Sequence, residues 1–157
     1  MTSWTDHWAA INEAAHAVVA RHFGMEVPLA TLDFITVPHL PYTAPDCDNS
    51  KARLVMSAAG DVATTIFLRW TGTDHADNEI SRKRLRGLGA GFFLRRRLMR
   101  EARQAAFILV WALRGEILTV AGALRERRVM SQDQIDELLW TRRISVDATQ
   151  GAEQADI

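Results

Sequence analysis

The segment 7–22 constrains the fold most strongly, because its apolar side chains recur at helical spacing. This spacing predicts an amphipathic helix with one buried stripe. Thr5 or Asp6 is suited to cap the start of the helix, and Gly24 is suited to end it. The rest of the domain is expected to be arranged around this helix. The residues of the predicted stripe are Trp8, Ile11, Ala15, Val18, Val19 and His22.

The same helix carries Asn12, Glu13 and His16, one residue away from the zinc-peptidase pattern His-Glu-x-x-His. In that pattern, two ligands at i and i+4 lie one turn apart on one helix face, so both reach one metal ion. The Glu beside the first ligand can take a proton from a metal-bound water. Because zinc favours nitrogen and sulfur donors with some carboxylates, Asn12 predicts a weakened or lost zinc site.

Further patterns predict a mainly α fold with a small β element. Residues 31–37 are rich in β-forming side chains and predict a strand. Helical periodicity covers residues 52–70, 75–88 and 92–127, with an interruption expected at Gly115. Ser131 predicts the N-cap of a last helix that buries Ile135, Leu138 and Leu139.

The glycines at 87, 89 and 91 predict a hinge between two of these helices. They follow no predicted strand, and the chain contains no Gly-Lys-Ser/Thr, so a phosphate loop is excluded. The absence of that motif also indicates that the chain carries no ATPase motor of the P-loop type.

Composition indicates one globular domain of ordinary kind. The chain has 157 residues, 48% of them hydrophobic, and we expect a domain over residues 1–145 and a polar tail over 146–157. Lysine and arginine balance aspartate and glutamate at 19 each, so the net charge indicates no partner class. The single Cys47 excludes an intrachain disulfide. With no signal peptide and no apolar run of about 20 residues, we expect a cytoplasmic protein and no membrane partner.

The order of three motifs resembles the zinc peptidase domain of FtsH-type AAA proteases, and more closely their small stand-alone, ATPase-less relatives. The family's His-Glu-Ala-Gly-His-Ala helix is similar to residues 12–17, and its Ala-Gly-x-x-Ala-Glu helix is similar to residues 59–64. Its Gly-x-x-x-Asp turn and helix is similar to residues 72–80. The resemblance covers roughly residues 7–140 and implies a zincin-like fold.

The resemblance implies roles for individual residues. His16 corresponds to the second zinc ligand, Asp77 to the third, and Glu13 to the general base. Asp74 is the alternative to Asp77 as the third ligand, and His75 is the candidate to replace the ligand lost at Asn12. The chain departs from the family at three positions: Asn12 replaces the first histidine, Ala15 replaces a glycine, and Thr64 replaces an acidic residue.

A run of basic residues is the second feature of functional interest. It is either a solvated helix face or a docking surface for an acidic protein or a nucleic-acid backbone. Its members are Arg82, Lys83, Arg84, Arg86, Arg95, Arg96, Arg97, Arg100 and Arg103.

Three functions follow as expectations. The first is a metallopeptidase-like pseudoenzyme with a degenerate motif that acts by protein interaction. The second is an active, ATP-independent zinc metallopeptidase, and the third is a basic adaptor for nucleic acid or an acidic protein. The family's rings suggest a homo-oligomer by analogy. The tryptophans are expected to serve as core or interface anchors: Trp4, Trp8, Trp70, Trp111 and Trp140.

Overall fold

The computed structural model describes residues 4–32, 50–69, 83, 85–86, 89 and 91–142. Its elements, in chain order, are α1 (Trp4–His22), β1 (Leu29–Thr31), α2 (Ser50–Leu68), α3 (Phe92–Ala112), α4 (Arg114–Arg127), β2 (Val129–Ser131) and α5 (132–142). The predicted mainly helical fold with a small β element is confirmed. Residues 33–37 of the predicted strand lie outside the described residues, as does most of the predicted helix 75–88.

The central helix is α1, which packs against both α2 and α4. It is buried nearly all round from residue 9 to residue 20, so the prediction of a single buried stripe was too narrow. Six of its buried residues are alanines, and short side chains let neighbouring helices approach closely. The predicted cap was wrong, since Thr5 and Asp6 lie inside the helix, and His22 is exposed rather than buried.

Helix α3 packs on α2 through the buried Ala102, Ala106 and Val110. It ends one residue before Leu113, and α4 continues at an angle of 80°. The predicted interruption at Gly115 was therefore misplaced, because Gly115 lies inside α4. A Cβ there would overlap the guanidinium group of Arg142, which is the far end of a flexible side chain and can move aside.

A two-stranded antiparallel sheet joins the chain after α1 to the chain after α4. Ala30 of β1 pairs with Met130 of β2, and both are buried. Strand β2 was not predicted. It follows Arg128, which ends α4 in a left-handed conformation with φ 64° and donates its N–H to the Leu124 carbonyl at 2.7 Å.

The predicted start of α5 is confirmed by its capping geometry. The backbone N–H of Ser131 donates to Oε1 of Gln134 at 2.9 Å, and the backbone N–H of Gln134 donates to Oγ of Ser131 at 3.4 Å. This reciprocal pair is a capping box. Ile135 and Leu139 are buried, as predicted, and Leu138 is partly buried.

An ion pair joins α5 to α1. The Arg21 guanidinium donates to both carboxylate oxygens of Asp136, at 2.8 and 2.9 Å, and also to the Met25 carbonyl at 2.8 Å.

No single helix within the described ranges is both long enough and apolar enough to cross a membrane. Helices α3 and α4, counted together as one segment, meet the same criterion of length and composition, although an 80° bend separates them.

Candidate functional site

The candidate site lies where α1 crosses α2 at Gly60. Asn12 and His16 are one turn apart on α1, as the motif spacing predicts, and both point toward this glycine. A Cβ on Gly60 would stand 2.5 Å from His16 Nε2 and 2.6 Å from Asn12 Nδ2. Because a Cβ atom essentially never lies within 3.0 Å of a non-bonded heavy atom, these two distances are too short for any side chain at position 60. The positions of Asn12 and His16, and the close approach of the two helices, therefore depend on glycine there.

The orientation of His16 is set by a hydrogen bond to the backbone of α2. Its Nδ1 lies 2.8 Å from the carbonyl oxygen of Met56. A carbonyl oxygen only accepts, so Nδ1 carries a hydrogen. When the ring is neutral, the lone pair is therefore on Nε2. Metal-binding histidines characteristically donate their second ring N–H in this way. Nε2 is also the atom that faces Asn12 and Gly60 across the crossing.

Asn12 is the unusual member of the pair. It is only 3% exposed, and its Nδ2 has no hydrogen-bond partner among the described residues. A buried donor without a partner costs about 1–3 kcal/mol. As a donor to a metal, the amide would supply one neutral oxygen, which is a weaker zinc ligand than an imidazole nitrogen.

Three further polar residues lie on α1 and α2 near the crossing. Glu13, the predicted general base, is partly exposed beside Asn12. Asp61 is buried at the position after Gly60 and was not singled out from the sequence, although the Ala-Gly-Asp signal was present. Thr64 is fully buried, and its hydroxyl lies 3.0 Å from the Asp61 carbonyl and 3.2 Å from the Gly60 carbonyl of its own helix. Thr64 is therefore satisfied within α2.

Of the pair at the helix crossing, His16 is a good zinc ligand and Asn12 is a poor one. Asp77, Asp74 and His75 lie outside the described residues. Within the described ranges, no three His, Cys, Asp or Glu side chains lie where they could hold one metal ion. A catalytic zinc takes three protein ligands and one open position, so the described donor set does not fit it.

The second region of interest is the outward side of α3. Arg96, Arg97, Arg100 and Arg103 are exposed there, whereas Arg95 is partly buried. Of the other members of the basic run, Lys83 and Arg86 are exposed, and Arg82 and Arg84 lie outside the described residues.

One acidic residue lies on this part of α3. Nε of Arg97 donates to Glu101 at 2.7 Å. This hydrogen bond, aided by the positive charges of Arg97, Lys51 and Arg100, lowers the pKa of Glu101, while desolvation opposes the shift. The same hydrogen bond raises the pKa of Arg97.

Large apolar side chains are exposed on the same helix. Phe93 is 85% exposed near its start and Trp111 is 55% exposed near its end. The guanidinium of Arg114 lies over the Trp111 ring, 5.6 Å from its centroid. Trp4 and Trp140 are exposed too, Trp8 is partly buried, and Trp70 lies outside the described residues. The other exposed large apolar residues of α3 are Phe92, Leu94, Phe107 and Ile108.

Compared with known proteins, the chain matches no family model. No curated protein is significantly similar to it.

Proposed function

We propose that the chain is a zincin-like, metallopeptidase-type domain whose zinc site is weakened or lost and which acts by protein interaction. The observation that carries this proposal is the pair Asn12 and His16, one turn apart on α1 and packed against Gly60 of α2. The pair occupies the two ligand positions of the His-Glu-x-x-His motif, with an amide in the first of them.

The loss of catalysis follows from the chemistry of Asn12. A bound zinc would lower the pKa of a water molecule and so generate the nucleophile for peptide hydrolysis. Replacing an imidazole by a neutral amide oxygen removes one of the donors that hold such a metal. Glu13 remains beside the pair, where it could accept a proton, but without the metal it has no activated water to act on.

Protein interaction is supported by the exposed surface rather than by the crossing of α1 and α2. Phe107, Ile108 and Trp111 are each more than half exposed on one side of α3. Contiguous exposed apolar patches that are large and bordered by polar residues mark protein contact sites.

One observation favours the alternative of an active, ATP-independent zinc metallopeptidase. The hydrogen bond from His16 Nδ1 to the Met56 carbonyl places the lone pair of the neutral ring on Nε2, as in histidines that hold zinc. In this alternative, His16 and Asp77 bind zinc together with Asn12 or His75, and Glu13 serves as the general base.

Peptide hydrolysis separates the two functions. The purified protein is incubated with a mixture of internally quenched fluorescent peptides, with and without added zinc, beside a Glu13→Gln variant. We expect no difference between the two proteins. Zinc-dependent cleavage by the native chain that is absent from Glu13→Gln would establish the active peptidase and overturn the proposed function.

The exposed arginines of α3 support the remaining candidate, a basic adaptor for nucleic acid. Arg96, Arg100 and Arg103 could neutralise backbone phosphates without any base-specific contact. Binding of this kind falls steeply as salt is raised, so a fluorescence titration with labelled DNA at two salt concentrations tests it.

A further inference from the structure

We propose that the outward side of α3 docks an acidic, amphipathic helical segment of another protein. This α3 surface has a basic half and an apolar half. The inference rests on the proposed function, in which the chain acts by contact with a protein, and it specifies the surface and the chemistry of the partner. The basic half is Arg96, Arg97, Arg100 and Arg103, and the apolar half is Phe107, Ile108 and Trp111.

The two halves form one stripe because of the period of the helix. Ala102, Ala106 and Val110 are the residues that α3 buries, on the side packed against α2. At 3.6 residues per turn, Arg97, Arg100, Ile108 and Trp111 fall on the opposite side. Arg96, Arg103 and Phe107 fall on the adjoining flank, and all three are exposed. The helix of 21 residues is about 31 Å long. A partner helix of four to five turns is about long enough to cover both halves.

On α3 itself, the four arginines of the basic half are accompanied by one acidic residue, Glu101. Arg100 has arginines at i−4, i−3 and i+3, which are the positions that face each other on a helix, and like charges there destabilise it. Arg97 is ion-paired with Glu101. The first turn of α3 has no acidic residue to offset the arginines that follow it. Carboxylates from a partner would remove this repulsion, so the charge of the surface is complementary to an acidic segment.

The apolar half of the α3 surface indicates that the partner also carries apolar side chains, in addition to negative charge. Phe107, Ile108 and Trp111 leave more than half of their surface in water, and Arg114 stays over the Trp111 ring. Tryptophan, together with arginine, is enriched among the residues that dominate protein interfaces. The partner therefore needs aliphatic or aromatic side chains that follow its carboxylates at helical spacing.

Two other occupants fit the surface less well. A nucleic-acid backbone would neutralise the arginines but offers no aliphatic side chains to cover Ile108. A second copy of the chain would place arginine against arginine in a parallel pair, and arginine against apolar residues in an antiparallel pair. An acidic amphipathic helix satisfies both halves at once.

The test is a selection from a phage-displayed library of random peptides of about 20 residues, the length of α3. We expect the selected peptides to be rich in Asp and Glu in one half and in aromatic or aliphatic residues in the other. As synthetic labelled peptides, they should bind Arg100→Glu and Trp111→Ser at least about tenfold more weakly than the native protein. Circular dichroism confirms that each variant keeps its helical content.

Two exposed residues away from this surface provide matched controls. Arg127→Glu lies in the last turn of α4, and Trp4→Ser lies at the start of α1. Both should bind the selected peptides as the native chain does. Selected peptides that are not acidic, or that bind Arg100→Glu undiminished, would overturn the proposal. The proposal would also be overturned if a labelled single-stranded DNA of about 20 nucleotides bound to the same residues more tightly than the selected peptides do. A native dimer in light scattering that Trp111→Ser converts to a monomer would overturn it as well.

The failure of this inference and that of the proposed function give different results. Peptides that bind through Arg100 and Trp111 and are then cleaved would support the docking surface and contradict the loss of catalysis. Peptides that remain intact but bind independently of both residues would contradict the docking surface and leave the proposed function standing.

Discussion

Gly60 and His16 lie against each other where α2 crosses α1, so closely that a Cβ on Gly60 would stand 2.5 Å from His16 Nε2. The same imidazole donates from Nδ1 to the Met56 carbonyl, one turn earlier on α2. His16 therefore lies against the α2 backbone at two positions one turn apart, the Met56 carbonyl and Gly60. The geometry of the candidate site and the packing of the two helices are therefore the same structural feature.

Gly60→Ala should lower the free energy of unfolding by about 1–3 kcal/mol. The new methyl group would overlap the ring of His16 and the amide of Asn12, which cannot both move away because α1 is buried nearly all round. Chemical denaturation followed by circular dichroism measures the change.

Gly122→Ala is the matched control for that substitution. Gly122 also lies in a helix, but a Cβ there meets no atom within 4 Å. Because alanine is favoured over glycine in helices by about 1 kcal/mol, Gly122→Ala should stabilise the chain. A Gly60→Ala variant as stable as the native protein would contradict the described crossing.

Asn12→Ala should leave the free energy of unfolding unchanged or raise it by up to about 1 kcal/mol. The substitution removes a buried Nδ2 that has no hydrogen-bond partner in the described part of the chain, and alanine is also the better helix former. Thr64→Ala, which removes a buried hydroxyl that is hydrogen-bonded, should instead destabilise by about 1 kcal/mol. If urea titrations showed that Asn12→Ala cost more than Thr64→Ala, Asn12 would have a bonding role that this account lacks.

Arg100→Glu should raise the free energy of unfolding by roughly 0.5–1 kcal/mol, since it turns repulsion from Arg96 and Arg103 into attraction. Arg100→Glu is thus expected to be more stable than the native protein but unable to bind the partner. Such a trade-off is common where surface residues serve binding rather than stability. Thermal denaturation at low salt measures the effect. Arg127→Glu should show no such gain, and an Arg100→Glu variant with a reduced melting temperature would contradict the repulsion.

The Arg97–Glu101 pair should make a small, pH-dependent contribution to stability. Because the folded-state pKa of Glu101 is lowered, chiefly by the hydrogen bond from Arg97, this contribution is present above the unfolded-state pKa. It is lost as the pH falls through the folded-state value. Carboxyl-carbon NMR should give Glu101 a midpoint below that of an unperturbed glutamate, and Arg97→Gln should raise it. An unchanged midpoint in Arg97→Gln would contradict the pairing.

Much of the helical fold could be predicted, because long apolar periodicity and capping residues are local signals. Ser131 and Gln134 sit three residues apart in front of an apolar helix, and the structure joins them in a capping box. The break at Leu113 could not be located, since no glycine or proline stands there to mark it. The nearby Gly115 misled the prediction because it lies inside α4, where a single glycine is tolerated and does not mark a helix end.

Strand β2 was missed for a similar reason. Three residues are too few to show alternation, and the left-handed end of α4 falls on Arg128 rather than on a glycine. At the candidate site, the helical spacing of Asn12 and His16 predicted that they share a face. The roles of Gly60 and the Met56 carbonyl depend on how α1 crosses α2, which no local pattern contains.

Zinc content, measured by mass spectrometry in protein purified without added metal, shows whether the motif has lost its metal. The native chain is compared with Asn12→His, which restores the first imidazole of the motif. We predict far less than one zinc per native chain and close to one zinc per chain of Asn12→His. Near-stoichiometric zinc in the native chain would contradict the proposed loss of the metal, and no zinc in either protein would contradict the resemblance to a metallopeptidase.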